Sequence, residues 1–229
     1  MVERLKGRKL KERVVELLKD PIFCSSLEKL RQLPGRLVVN PLLSLLLDHD
    51  ELVKWRAVTA IGAIVSFMAE KDVEAARVIM RRLMWSLNDE SGGIGWGAPE
   101  AMSEIMAQSN TIAEEYSSIL ISYLDEHGNF LEYEPLQKGL IWGVARLATV
   151  RPDLMKPASI HLHKYLSSND ASIRGLSALS MGLLKAIQDR DYLNELLNDH
   201  AEVQMFSNNE LKKFKVSDFV VKAISLLNE

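Results

Sequence analysis

The stretch of this sequence best suited to hold a ligand or partner is residues 88–102, NDESGGIGWGAPEAM. Its glycines, Gly92, Gly93, Gly95 and Gly97, permit positive φ and close backbone approach. Free N–H groups gathered at a helix start can hold an anion. Asp89, Glu90 and Glu100 bring negative charge into the same stretch, which works against an anion there. Two readings follow. In one, the stretch is a tight loop between helices, with Pro99 in the first turn and Trp96 packed inward. In the other, it is a contact site for a small ligand, an anion or a partner, centred on residues 92–97. A dinucleotide-binding fingerprint would need a strand before the glycines. A helical pattern precedes them, so that chemistry is excluded.

Nucleophiles and metal ligands are sparse. Cys24 is the only cysteine, so there is neither an intramolecular disulfide nor a cysteine metal cluster. It lies in an apolar helical pattern, where a free cysteine reads as a small buried hydrophobe. The histidines are His49, His127, His161, His163 and His200. His161 and His163 stand two apart, and on a helix they face different sides. No serine sits in a G-x-S-x-G elbow and there is no phosphate-binding P-loop. No catalytic residue, cofactor or metal is expected.

These side chains must be positioned by helices. Apolar residues recur at spacings of three and four along almost the whole chain. With 47% hydrophobic and 26% charged residues over 229 positions, the chain can bury a sizeable core. The apolar run at 37–47 is broken by Asn40, Pro41 and Ser44 and falls short of the roughly 20 residues of a membrane span. The N-terminus has charges but no apolar signal-peptide core. A reducing cytoplasm and no membrane contact are expected.

The helical segments repeat. Residues 50–65, DELVKWRAVTAIGAIV, align without a gap to 170–185, DASIRGLSALSMGLLK, and to 91–106, SGGIGWGAPEAMSEIM. Trp55 falls on Trp96, and Gly62 on Gly182. A fourth, weaker copy carries Leu136, Trp142, Gly143 and Ala145. The successive periods are 41, 40 and 39 residues, the length of a two-helix unit. Each copy follows a leucine-rich helix, at 42–47, 78–87, 119–124 and 160–166. Asp50 and Asp170 stand where they can cap the second helix of a pair.

Asp50-Val53-Lys54-Ala57-Gly62 and Asp170-Ile173-Arg174-Ala178-Gly182 resemble the HEAT-repeat signature, over residues 36–187. The resemblance implies an all-α superhelix of the HEAT-like, armadillo type, including the lyase-like HEAT group whose members chaperone tetrapyrroles or join them to proteins. The glycine-tryptophan stretch also resembles one found in prokaryotic HEAT-like proteins. We expect a single domain of about five helix pairs: a capping pair at 1–33, repeats at 36–187, and a different ending at 189–229. Alternating residues at 202–206 and 211–216 around a polar SNNE turn predict a β-hairpin. Ser217-Asp218 is then the cap of a last helix over 219–227.

Solenoids present an extended concave surface to partners. The leading expectation is therefore a non-enzymatic scaffold that binds a protein, with contacts at Trp55, Glu90, Gly93, Gly95, Trp96 and Glu100. HEAT-repeat DNA glycosylases use Trp, Asp and Arg on a basic face, and Trp96, Glu100, Trp142 and Arg146 imitate such a set. Charge argues against it. Residues 1–36 hold ten Lys/Arg against five acids, a local +5; with the whole chain at −3, residues 37–229 carry −8, whereas phosphate binding needs cations. The basic start reads as a solvated helix face or a docking surface for an acidic partner. HEAT-repeat iron hydroxylases bind metal through His-Glu pairs. Here only the reversed Glu126-His127 occurs. Trp85 and Trp142 are expected in the core, while Trp55 and Trp96 divide between core and contact roles.

Overall fold

A computed structural model describes residues 7–88 and 95–229. Among the described residues the elements up to residue 198 are helices, followed by a β-hairpin and a last helix. Its contacts sort into two compact units, Met1–Ile112 with Asn208–Glu210, and Ala113–Ser207 with Leu211–Glu229.

In the first unit, α1 (Arg8–Lys19) and α2 (Phe23–Arg31) form a pair. Leu10, Val14, Leu17 and Leu18 of α1 are buried, and its lysines and arginines face solvent. Arg8–Glu12 and Arg13–Glu16 pair along that exposed face, each at 2.9 Å. The described cations of α1 thus lie on a solvated helix face. Cys24, expected inside, is exposed: α2 buries Phe23, Ser26 and Leu30, and Cys24 lies off that stripe.

Next come α3 (Gly35–Leu45) and α4 (Glu51–Ala69), then α5 (Val73–Leu87) and α6 (Ala98–Gln108). Asp50 caps α4 as its position requires, accepting from the backbone N–H of Leu52 at 3.0 Å and Val53 at 3.3 Å. α4 reaches a mean hydropathy of 1.5 over 18 residues and is long enough to cross a membrane by length and composition. A search for unbroken apolar runs passes over it. Its apolarity serves packing, since α1, α2, α3, α5 and α6 all lie against it. Two buried contacts anchor it. The Arg56 guanidinium donates to the carbonyls of Leu18 at 2.7 Å and Asp20 at 2.8 Å, closing the end of α1. Gly62 lets α6 approach: a Cβ there would lie 2.5 Å from Glu104 Cγ.

α7 (Asn110–Ser122) leads into the second unit, followed by α8 (Glu134–Val150). The fifth first helix is broken into α9 (Pro152–Met155), α10 (Ser159–Leu162) and two 3-10 turns. α11 (Ala171–Leu183) is capped by Asp170 as α4 is by Asp50, with N–H groups of Ser172 at 2.7 Å and Ile173 at 3.2 Å. α11 packs between α8 and α13 (Val216–Asn228), with the short α12 (Arg190–Glu195) against α13.

The hairpin forms where alternation places it, as β1 (Glu202–Ser207) and β2 (Glu210–Lys215). Asn208 and Asn209 turn it with φ of 53° and 65°, the double positive φ of a tight two-residue turn. The last helix begins at Val216, earlier than the serine-aspartate cap implied. Asp218 sits inside the first turn and reaches back to accept from the Lys215 N–H at 2.8 Å.

Candidate functional site

The glycine-tryptophan stretch feeds α6. Gly97 is the residue before the helix, with φ 76°, and a Cβ on it would lie 2.9 Å from Leu46 Cβ. Gly95 is buried; its Cβ would lie 2.7 Å from the Ser86 carbonyl oxygen. Close approach accounts for both glycines. Glu90 and Gly93 lie outside the described residues.

Glu100, in the first turn of α6, is buried at 5% exposure. Its Oε1 stands 3.6 Å from Lys54 Nζ on α4, and its Oε2 has no hydrogen-bond partner. Burial pushes the carboxyl above its usual range, and Lys54 pulls only part of the way back. The Lys54 ammonium also lies 5.6 Å from the centroid of the half-buried Trp55 ring. The structure therefore gathers Lys54, Trp55 and Glu100 between α4 and α6. It points the carboxylate inward, where it faces the neighbouring helix and not solvent. Glu104, one turn on, is likewise buried and accepts from Gln108 Nε2 at 2.7 Å.

Trp96 belongs to a different surface. It is 44% exposed and lines a recess of about 220 Å³ with Leu43, Leu47, Arg82 and Ser86. That recess adjoins a second, of about 400 Å³, bounded by Val39 and Asn40 of α3 and by Val78, Ile79 and Arg82 of α5. A third, of about 350 Å³, shares Arg36, Met68, Asp72 and Ala75 with the second and extends to Arg31, Pro34 and Lys71. Together they make one groove between two first helices, α3 and α5. Arg36 and Asp72 bridge it at 2.9 Å, and Arg82 donates to the Asn40 side chain.

The groove walls expose apolar surface. Leu47 and Val78 are each 53% exposed, and outside the recesses, two turns on from Val78 along α5, Trp85 is 80% exposed. Trp85 was expected in the core, but α5 buries a stripe of Ala76, Ile79, Met80 and Leu83, and Trp85 lies off it. Val78, Arg82 and Trp85 stand at i, i+4 and i+7, one side of the helix. Their signal in the sequence is a helix with apolar residues outside its core stripe. Trp142 is buried at 9% exposure, as expected, which takes it out of any exposed base-stacking set with Trp96, Glu100 and Arg146. His163 meets the Tyr192 ring edge-on at 4.2 Å between centroids. Among the described residues no three His, Cys, Asp or Glu side chains gather as a metal site would need.

No protein-family model matches the chain. A protein of Archaeoglobus fulgidus, described as uncharacterised, is 28% identical over 186 residues, which span 80% of this chain and 93% of its own. Solved structures that are similar include a designed armadillo repeat protein, 21% identical with a TM-score of 0.52 over 96% of this chain and all of its own. Another designed armadillo repeat protein, solved in complex with the peptide (KR)4, has 21% identity and a TM-score of 0.53 over the same shares. An engineered protein scores 0.54 at 18% identity, over 97% of each chain. The fold is an armadillo-like helical repeat. The coarse expectation from the repeat signature holds at the level of architecture.

Proposed function

We propose that this chain is a non-enzymatic scaffold, working in the cytoplasm, that binds a protein partner through the groove between α3 and α5. The observation that carries this reading is the exposed Trp85, on the same side of α5 as the groove residues Val78 and Arg82. A tryptophan held in water leaves a large apolar area uncovered, and tryptophans covered by a partner are common centres of binding energy. The armadillo-like architecture supports the reading in general, because repeat stacks carry extended binding surfaces. One of the similar designed proteins was made for modular peptide recognition. Of the residues expected to make contact, Trp96 belongs to this surface. Glu100 is buried against Lys54 of α4, and Trp55 lies under the same ammonium; neither lines this groove.

Trp85→Ala tests the reading, since removing a side chain with so few contacts should leave the fold intact. Capture from an extract of the source cells is expected to retain a protein on the wild type. The variant should hold it at least about thirtyfold more weakly, the size of a binding hot spot, with an unchanged melting temperature. Equal capture by folded wild type and folded Trp85→Ala and Trp96→Ala variants would rule this surface out.

A further inference from the structure

We infer that the α3–α5 groove takes a single amphipathic helix of the partner, with an apolar stripe and carboxylates along its flanks. This rests on the scaffold reading and names the chemistry of the partner.

Both groove walls are helices whose backbone groups, the turn at Pro41 apart, are paired along their own axes. An extended strand would find no sheet edge to add to, so recognition must come from side chains entering a groove, the mode that suits a helix. Shape agrees. The groove follows α3 over its 11 residues, about 16 Å, which is three turns of an opposing helix. Leu43, Leu47, Val78 and Trp96 supply apolar surface along that length.

Charge fixes the sign of the flanks. α3 contains one charged residue, Arg36, and no acid. The two acids that line the groove among the described residues are occupied: Asp72 pairs with Arg36 at 2.9 Å, and Glu74 pairs with Arg81 at 2.5 Å and Arg77 at 3.5 Å. Lys71 and Arg82 are exposed and have no carboxylate partner among the described residues. They are separated by most of the length of α5, roughly 15 Å or three helical turns. A partner helix with acids about that far apart satisfies both. In a chain of net charge −3, two exposed groove cations without a carboxylate partner among the described residues favour acidic partners over basic ones.

The test is selection of binders to the full-length chain. The library is helical peptides of about 16 residues with a fixed apolar stripe and randomised flanks. Wild type is expected to enrich Asp and Glu at flanks about three turns apart. Individual winners, measured by fluorescence anisotropy, should weaken at least about tenfold on Arg82→Glu or Lys71→Glu and at raised salt. Selection on the double charge-reversed variant should enrich Lys and Arg instead. Basic or neutral flanks on the wild type, or winners indifferent to Arg82→Glu, Lys71→Glu and Val78→Asp, would overturn the inference. So would concentration-dependent self-association of the wild type that Val78→Asp abolishes, since a second copy would then own the groove. If selection fails while capture still depends on Trp85, the helix falls and the scaffold reading stands. If neither shows binding, both fall.

Discussion

Glu100 carries the sharpest consequence at the scale of a single residue. Its carboxyl is buried, one oxygen lacks a partner, and its proton affinity is raised in the folded chain. The folded state then holds this proton more tightly than the unfolded state does. Stability from this group is greatest at acidic pH and declines as pH rises from the ordinary carboxylate range through the raised folded value. Glu100→Gln should flatten that decline and melt at or above the wild-type temperature at neutral pH. Lys54, left without its acid, keeps contact with solvent. Melting curves of both proteins across pH 4 to 8, on the order of the range where carboxylates and their raised forms titrate, would check it. An unchanged pH slope would mean that the carboxylate does not titrate as its burial implies. The sequence put Glu100 in one stretch with Trp96, whereas the structure sets it against Lys54, which also lies over Trp55, and leaves Trp96 on another surface. It could not show that the carboxylate turns inward, because that depends on Lys54 arriving from α4.

At the scale of elements, the repeat was legible because its cues are local. Asp50 and Asp170 announce helix starts, and the structure uses both in the same way. Asn208 and Asn209 sit between alternating runs and form the turn. Gly62 and Gly182, equivalent in the alignment, both mark places where a second helix meets the next one. Their neighbours differ in stiffness. A Cβ on Gly182 would run into the Ala223 backbone, whereas one on Gly62 would meet first the Glu104 side chain at 2.5 Å and its backbone at 3.1 Å. Gly182→Ala should therefore cost about 1–3 kcal/mol from overpacking, despite the better helix propensity of alanine. Gly62→Ala should cost less. Chemical denaturation of the two variants decides the matter, and a Gly182→Ala protein as stable as wild type would mean that α11 and α13 are not held so closely. The fragmentation of the fifth first helix was not legible, as its apolar period continues through Pro152 and Pro157. Trp85 was misread because a tryptophan in a helical pattern is assigned to the core by size. Only the position of the buried stripe of α5 shows otherwise.

For the whole molecule, the fold could be read from periodicity and the α3–α5 groove could not. A groove between α3 and α5 is set by how far apart two first helices stand, and no local pattern encodes that distance. The uneven charge was visible, as a basic start against an acidic remainder. Beyond the first 36 residues, Lys71 and Arg82 add two exposed cations with no carboxylate partner among the described residues. The central claim is that a partner covers the α3–α5 groove. The most direct measurement is photocrosslinking in the source cells, with the reactive residue placed at Val78, at Trp85, or at the exposed Ile160 as a control. An adduct to one protein from positions 78 and 85 but not 160, mapping to an acid-flanked helix of that protein, is the expected result. Adducts from 160 alone, or none from 78 and 85 in a folded chain, would contradict the account.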